Sequence, residues 1–194
     1  MLLAIVLQLA YLAGSVPTGV LVTRAFGGGD PRAACSGNIG ATNVLRTAGT
    51  RAGALTLAGD MAKGALPALL AISLDLGPSG AGAVVVAAVI GHVLPVTLGF
   101  RGGKGVATAC GGFLVVAPAA ALFALGIYAV ALALTRTSSV GSLAASLALL
   151  PALWGLGAEP GVLLAATAAV LLILGRHRDN IRRLIQRREL RVHP

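Results

Sequence analysis

Long apolar stretches alternate with short polar connections along almost the whole chain. Each stretch is a candidate membrane span, because a helix needs roughly 20 mostly apolar residues to cross a bilayer and fewer where neighbours bury it. Seven stretches occur, at Leu2–Val22, Ala52–Leu74, Gly80–Leu98, Gly105–Val116, Pro118–Leu134, Val140–Leu156 and Gly161–Leu174. The fourth is short, and the break after it is predicted at Ala117-Pro118, because proline disfavours a helical residue before it. The pattern predicts one all-α integral membrane domain, residues 1–194, built as a compact bundle of seven transmembrane helices.

The charges in the connections predict the orientation of these spans. With seven spans, every basic connection lies on one side, including the link that holds Arg101 and Lys104, and the links at Asp75 and Glu159 lie on the other. Positive charge collects on the cytoplasmic side of membrane proteins. We therefore expect the N-terminus outside and the C-terminus in the cytoplasm. A six-span count would reverse the tail, whereas a count of five full spans keeps the same parity.

Composition excludes a soluble globular protein. Hydrophobic residues make up 57% of the chain and charged residues only 11%, and the mean hydropathy is +0.91, whereas soluble domains carry about 25% charged residues. The 27 glycines predict helices that approach one another closely. Cys35 and Cys110 have neither the number nor the spacing of a disulfide framework or a zinc site, so we expect no metal.

The net charge of +9 is concentrated at the C-terminus, where seven of the fifteen Lys and Arg residues lie at or after Arg176. Such a basic tail suits nucleic acid or anionic lipid headgroups, and in a membrane protein the second is favoured. Ile181, Leu184 and Ile185 recur at helical spacing among arginines. Residues 176–194 are therefore predicted to be a basic, cytoplasmic, interfacial tail that contacts membrane lipids and no nucleic acid.

Two glycine-containing segments have the composition of anion-binding sites. Small and amide residues let backbone N–H groups approach an anion, and a nearby cation adds charge. The first segment, followed by Arg46, offers Ser36, Gly37, Asn38, Gly40, Thr42 and Asn43. The second offers Gly102, Gly103, Lys104 and Gly105 before a helix N-terminus, where free N–H groups and the helix dipole favour anions. The alternatives are a helix-capping turn for the first segment and basic residues that mark the inner face for the second.

The remaining polar residues form smaller groups. Ser139 and Ser142, which follow Ser138, share a helix face, as do His177 and Asn180. Asp60 and Lys63 lie three residues apart inside the second span, where charges are usually paired or functional. We interpret this pair as structural, and His92 as a packing residue. Together the groups predict sites for one or two substrates that carry phosphate and an acyl chain.

At these residues the chain resembles the bacterial acyl-phosphate:glycerol-3-phosphate acyltransferase family, PlsY, nearly end to end. The segments that carry the resemblance are GSVPTG at 14–19, SGNIGATNVLRTAG at 36–49, GDMAKGALP at 59–67, GHVLPVTLGFRGGKGVATACGG at 91–112, Ser139 with Ser142, and HRDNIRRL at 177–184. Two positions depart from the family pattern. Cys35 and Arg187 stand where the family usually has glycine, although the matching acid, Glu189, is present.

The resemblance implies transfer of a fatty acyl group from acyl-phosphate to the sn-1 hydroxyl of glycerol 3-phosphate, giving 1-acyl-glycerol 3-phosphate and phosphate. It implies no cofactor, a bacterial inner-membrane location with the site towards the cytoplasm, and contact with the enzyme that makes acyl-phosphate. The family residues of the substrate pocket correspond to Ser36, Arg46, Lys104, Ser142, His177 and Asn180. The base that accepts the hydroxyl proton is either His177 or, as the resemblance favours, the donor's own phosphate. A transporter for an organic phosphate and a scaffold protein are the rival interpretations.

Overall fold

The computed structural model describes residues 1–192, which form nine α-helices and no β-strand. The helices are α1 Leu2–Gly14, α2 Thr18–Ala25, α3 Ala41–Ser73, α4 Gly77–Val93, α5 Val106–Val116, α6 Pro118–Thr135, α7 Ser138–Gly155, α8 Pro160–Arg176 and α9 Arg178–Ile185. Short 3-10 turns at Pro31–Ala33 and Val96–Leu98 complete the connections. The predicted all-α membrane fold is confirmed.

All seven apolar stretches contain a helix, although the first is broken between Gly14 and Thr18 and the third continues past the end of α4 at Val93. The lengths of these helices determine how many can cross a membrane. Among residues 1–192, five segments are long and apolar enough to cross a membrane, or six if the bent pair α8 and α9 forms one span. Helix α5 is too short, because its 11 residues extend about 16 Å against a hydrocarbon core of roughly 30 Å. The predicted break is confirmed at Ala117, whose backbone leaves the helical region (φ −147°, ψ 68°). The count of five full spans that the sequence left open agrees with these lengths, and α5 is a short helix that ends where α6 begins.

Helix α3 begins earlier than the second apolar stretch predicts. Its first turns, from Ala41, precede a kink at Gly49, which has φ 86° and ψ 175°. Only glycine adopts such a conformation readily. The kink separates a short polar helix, which carries Arg46, from the long apolar helix that follows it.

Small residues fill the interior and large aliphatic residues face outward. At Gly64 a Cβ atom would lie 1.9 Å from the carbonyl oxygen of Thr108, and at Gly91 it would lie 2.1 Å from that of Tyr11. Backbones therefore touch directly at these crossings, as predicted from the glycine content. Leu134, Leu164 and Leu171 are more than half exposed, as expected where lipid replaces water.

The predicted tail contains helix α9, which presents Ile181 and Ile185 among its arginines. Residues 187–192 then fold back, and the amide of Val192 donates to the carbonyl of Arg136 at 2.7 Å. The two final residues of the tail, 193–194, lie outside the described residues. The placement of the tail at a membrane surface and the orientation of both termini stay predictions.

Candidate active site

One cavity of about 390 Å³ brings together residues from both glycine-containing segments, from the Ser139 and Ser142 pair and from the His177 and Asn180 pair. It is lined by Ser36, Asn38, Gly40, Thr42, Asn43, Arg46, Lys104, Gly105, Ser142, His177 and Asn180 among the predicted site residues. Three predicted glycines, Gly37, Gly102 and Gly103, are not part of its lining. Helices α3, α5 and α7 begin beside these polar residues, and α8 ends there. Chain segments far apart in sequence thus supply one polar site.

The cavity is polar at one end and apolar at the other. Along α5 the lining changes from Gly105 to Phe113, eight residues or about 12 Å deeper in the bundle. Along α7 it changes from Ser139 to Leu149, and α8 contributes Val170 below His177. The polar end suits a charged headgroup and the apolar end suits an aliphatic chain.

Asn43 organises the first polar segment from inside. Its side-chain oxygen accepts hydrogen bonds from the backbone and the hydroxyl of Ser36 at 3.0 and 2.9 Å. Its amide nitrogen donates to the carbonyls of Pro31, at 2.7 Å, and Asn38, at 2.8 Å. Because both ends of this buried amide are engaged, Asn43 shapes the loop, and its role as a direct substrate ligand is not favoured. The side chain of Asn38 in turn accepts from the amide of Gly40 at 2.8 Å.

The second polar segment corrects a sequence-based expectation. The amides of Gly102 and Gly103 donate to the carbonyls of Val93 and His92 at 3.2 and 3.0 Å. These two N–H groups are therefore unavailable to an anion, contrary to their predicted role in substrate binding. The free N–H groups lie one step further, in the first turn of α5, because its first internal bond runs from Ala109 to Gly105.

Lys104 is the cation that this segment presents to the cavity. Among residues 1–192 its ammonium has no hydrogen bond and no ion pair. Burial lowers the pKa of Lys104 to about 8, with the charge of Glu189 opposing the shift and Arg183, Arg46 and Arg176 adding to it. A partly desolvated, unpaired ammonium is a strong site for a phosphate.

Arg46 lies across the mouth of the cavity and contacts the tail. Its guanidinium donates to the carbonyls of Leu190 and Arg191 at 3.2 and 3.4 Å. These are long bonds to neutral acceptors, which a phosphate would replace with charge-assisted ones. Among residues 1–192 the Arg46 guanidinium beside the cavity therefore has no anionic partner.

Glu189 is a cavity residue that the sequence analysis noted but did not assign. Its carboxylate accepts from Ser139 at 3.0 Å, from Asn180 at 2.5 Å and from Arg183 at 2.6 Å. Burial acts to raise the pKa of Glu189, but the hydrogen bonds from these three side chains hold it below its ordinary value. Because the amide nitrogen of Asn180 faces the carboxylate, its oxygen is left to accept a hydrogen bond. The sequence signal for Glu189 was that it matches an acid in the pattern of the family that the chain resembles.

His177 is held in one tautomer. Its Nδ1 lies 2.8 Å from the carbonyl oxygen of Ile173. A carbonyl requires a donor, so Nδ1 carries the proton and Nε2 of the neutral ring is an acceptor. The ring is buried, with 1% of the residue exposed, and lines the cavity. His177 can therefore accept a hydrogen bond from a substrate hydroxyl.

Asp60, Lys63 and His92 form a buried charged cluster beside the cavity. Lys63 Nζ lies 2.9 Å from Asp60 Oδ1 and donates to the carbonyl of Val16 at 3.0 Å. His92 Nδ1 is 3.6 Å from the same carboxylate oxygen. The expected Asp60–Lys63 pair is therefore present, and its contact with Val16 ties α3 to the break between α1 and α2. Asp60 and His92 also line the cavity, which sequence spacing alone did not indicate.

Within residues 1–192, no group of three or more His, Cys, Asp or Glu side chains is placed to hold a metal ion. Both cysteines are free; Cys35 is exposed and Cys110 lines the cavity. The cavity lining offers cations, hydroxyls, amides, the carboxylates of Asp60 and Glu189 and the imidazoles of His92 and His177.

Comparison with known proteins gives a consistent result. The model of a family described as "Glycerol-3-phosphate acyltransferase" matches residues 4–187. Proteins named glycerol-3-phosphate acyltransferase from Syntrophotalea carbinolica and Pseudomonas paraeruginosa are 47% and 50% identical to this chain over 188 and 182 residues. These alignments cover 96% and 93% of this chain and 96% and 95% of the relatives.

Two solved structures share the fold. A crystal structure of PlsY, an integral membrane glycerol 3-phosphate acyltransferase, in its glycerol 3-phosphate form superposes with a TM-score of 0.95 at 37% identity. The lysophosphatidic acid form gives 0.92 at 36% identity. Each comparison covers 100% of this chain and 96% of the other. The resemblance inferred from the sequence motifs is confirmed.

Proposed function

The chain belongs to the glycerol-3-phosphate acyltransferase family, and we propose that it transfers a fatty acyl group from acyl-phosphate to the sn-1 hydroxyl of glycerol 3-phosphate. The products are 1-acyl-glycerol 3-phosphate (lysophosphatidic acid) and inorganic phosphate, in bacterial phospholipid synthesis. It is an integral membrane acyltransferase. The reaction needs no cofactor and no metal, because acyl-phosphate is already an activated mixed anhydride.

A single observation carries the proposal: the ammonium of Lys104, which has no partner among residues 1–192, lies in a cavity that is polar at one end and apolar at the other. The phosphates of acyl-phosphate and glycerol 3-phosphate both bind at the polar end, beside Lys104 and Arg46, and the acyl chain extends past Phe113 and Leu149. The solved PlsY structures were obtained in glycerol 3-phosphate and lysophosphatidic acid forms. These ligands match the two ends of the cavity.

The cations hold two anions that would otherwise repel each other. Lys104, Arg46 and the free amides at the start of α5 lie around one space. Positioning the hydroxyl against the acyl carbon makes the reaction effectively intramolecular. The same charges stabilise the phosphate as the acyl carbon–oxygen bond breaks. The surrounding walls are lined by Ser36, Asn38, Gly40, Thr42, Asn43, Gly105 and Ser142. Gly37, Gly102 and Gly103 support these walls from outside the lining.

The acyl group is transferred directly. The glycerol 3-phosphate oxygen forms the new ester bond, the bond from acyl carbon to phosphate oxygen breaks, and the hydroxyl proton leaves with the phosphate. The Ser36 hydroxyl donates to Asn43 at 2.9 Å, so its proton faces an amide oxygen and not a base. Such a serine is not activated as a nucleophile.

We assign the proton to the phosphate of the donor, with His177 and Asn180 orienting the attacking hydroxyl. Nε2 of His177 and the side-chain oxygen of Asn180 are both acceptors by the hydrogen bonds that their other atoms make. His177 as the base is the alternative. Loss of His177 would then abolish proton transfer, whereas loss of an orienting residue slows it by a smaller factor.

The membrane setting completes the proposal. The protein lies in the bacterial inner membrane with the cavity's polar end towards the cytoplasm, where the basic connections also lie. Glycerol 3-phosphate enters from that side. Acyl-phosphate arrives through the lipid or directly from the enzyme that makes it.

The decisive experiment uses purified protein in detergent. It is given radiolabelled glycerol 3-phosphate with acyl-phosphate, acyl-coenzyme A or acyl carrier protein as donor. We expect lysophosphatidic acid and phosphate in equal amounts with acyl-phosphate only, and acylation at sn-1 by mass spectrometry of the product. Turnover with a thioester donor at the same rate would refute the proposed donor.

A further inference from the structure

Lys104 follows two glycines whose backbone is fully hydrogen-bonded. The amides of Gly102 and Gly103 donate to the carbonyls of Val93 and His92 at the end of α4. The carbonyls of the same two glycines accept from the side chain of Arg176, Nε to Gly103 at 3.1 Å and Nη2 to Gly102 at 3.0 Å. Four backbone groups in succession are thus fixed by two different helices.

The contact from Arg176 acts on the backbone of Lys104 itself. The carbonyl of Gly103 belongs to the peptide plane that contains the nitrogen of Lys104, so holding that oxygen fixes the plane from which the lysine extends. The planar guanidinium fork matches two neighbouring carbonyls, which a flexible ammonium does not.

The opposite side of this segment lies directly against His92. A Cβ atom at Gly103 would be 2.0 Å from His92 Nε2, and one at Gly102 would be 2.1 Å from the His92 carbonyl oxygen. Glycine is therefore required at both positions for close approach. Two consecutive glycines have the largest backbone freedom of any pair, so their position depends on the partners that hold them.

We propose that Arg176 is a positioning residue for Lys104: by clamping the Gly102 and Gly103 carbonyls it fixes where the catalytic ammonium stands relative to His177. Arg176 precedes His177 at the end of α8, so one helix end orients the imidazole directly and the ammonium through the clamp. The inference rests on the proposed function, because it assumes that Lys104 acts on the substrate.

A purely structural role predicts something different. An arginine in the last turn of a helix also stabilises the helix dipole, and lysine would do that equally well. Arg176→Lys therefore separates the two roles, since it keeps the charge and removes the fork. Arg178→Lys is the matched control, because Arg178 is exposed and outside the cavity lining.

We expect Arg176→Lys to fold normally, with an unchanged melting temperature in detergent, and to lose about 10- to 100-fold in kcat/KM, since a misplacement of 1 Å can cost about 100-fold. Arg178→Lys should lose less than about twofold. Near-normal activity of a folded Arg176→Lys protein overturns the proposal. If that variant does not fold, Arg176→Gln, which keeps one donor without the fork, is tested in its place.

A double-mutant cycle with Lys104→Met gives the second readout. If Arg176 acts through Lys104, Arg176→Lys should change kcat/KM, and the Kd for glycerol 3-phosphate, by less than about threefold in the Lys104→Met background. Measuring Kd keeps the cycle usable when turnover is too slow to assay. Equal losses in both backgrounds would show that Arg176 acts elsewhere. A wild-type protein that forms no lysophosphatidic acid would instead refute the proposed function, independently of this cycle.

Discussion

Replacing Lys104 by methionine removes the ammonium from the cavity and keeps most of the apolar bulk of the side chain. Among residues 1–192 this ammonium has no hydrogen-bond or ion-pair partner, so its removal breaks no such contact within the described protein. A hydrogen bond to a charged group contributes about 1.5–3 kcal/mol. Loss of ground-state binding alone therefore raises a KM by about 10- to 150-fold, at a factor of ten per 1.4 kcal/mol.

In the proposed mechanism Lys104 also faces the phosphate that leaves, so the effect should extend to kcat. Removing one donor to a developing oxyanion typically costs about 100- to 1,000-fold in kcat. We expect both losses in Lys104→Met, and little recovery in Lys104→Arg, because the confined position suits a compact ammonium better than a planar fork. The KM and kcat values separate the two contributions.

Stability should move in the opposite direction. Because burial lowers the pKa of Lys104 from 10.5 to about 8, charging the side chain at this buried position costs about 3 kcal/mol at 1.36 kcal/mol per pKa unit. Lys104→Met removes that cost, so the variant should melt no lower than the wild type.

The assay is radiolabelled lysophosphatidic acid formation beside thermal unfolding in detergent. Arg101→Met, in the same connection but exposed and outside the cavity lining, is the matched control. Near-normal activity of folded Lys104→Met would remove this residue from the site.

Further expectations concern pH, covalent chemistry, topology and backbone strain. The kcat/KM should fall as pH rises through about 8, because the lowered pKa of Lys104 makes the ammonium lose its proton there; a flat profile to pH 10 would exclude a required Lys104 charge. Cys110→Ala should retain turnover, and no acyl-protein should accumulate without glycerol 3-phosphate; a stoichiometric acyl-enzyme would rule out direct transfer. In a background without native cysteines, Glu159→Cys should react with an impermeant reagent added to intact cells and Arg101→Cys should not, and the reverse labelling would invert the topology. Arg187→Gly should raise the free energy of unfolding by up to about 1 kcal/mol, because the cost of roughly 1–2 kcal/mol for a positive φ of 55° is partly offset by the backbone entropy that glycine loses on folding; a lower melting temperature would contradict this.

Hydropathy was sufficient to predict the helices of this fold but not their full extent. Every predicted stretch contains a helix because each is apolar over most of its length, but the break between Gly14 and Thr18 in the first stretch was not predicted. The first turns of α3, which begin at Ala41, were missed because they are polar and precede a kink at Gly49. Helix α5 was predicted as a short apolar stretch that ends at Ala117-Pro118, and its 11 residues agree with that prediction.

The candidate site was predictable as a set of residues and not as a set of roles. Rarity of polar residues in an apolar chain indicated Lys104, Arg46 and His177, which all line the cavity. The sequence could not show that the Gly102 and Gly103 amides are already bonded, since an N–H group is available only where tertiary structure leaves it without an acceptor. The role of Arg176 was hidden for the same reason, because its partners lie more than 70 residues away.

The two positions that depart from the family pattern show how the resemblance and the structure inform each other. Cys35 and Arg187 stand where glycine is usual, and both adopt the left-handed conformation, with φ of 51° and 55°. Side chains other than glycine adopt it at a cost of roughly 1–2 kcal/mol per residue. Each precedes a functional segment by a short distance, since Cys35 is followed by Ser36 and Arg187 begins the turn that places Glu189 against Asn180. A glycine at either position would adopt this conformation without that cost. In this chain the hydrogen bonds of Asn43 to Ser36 and of Glu189 to Asn180, Ser139 and Arg183 hold the segments that follow.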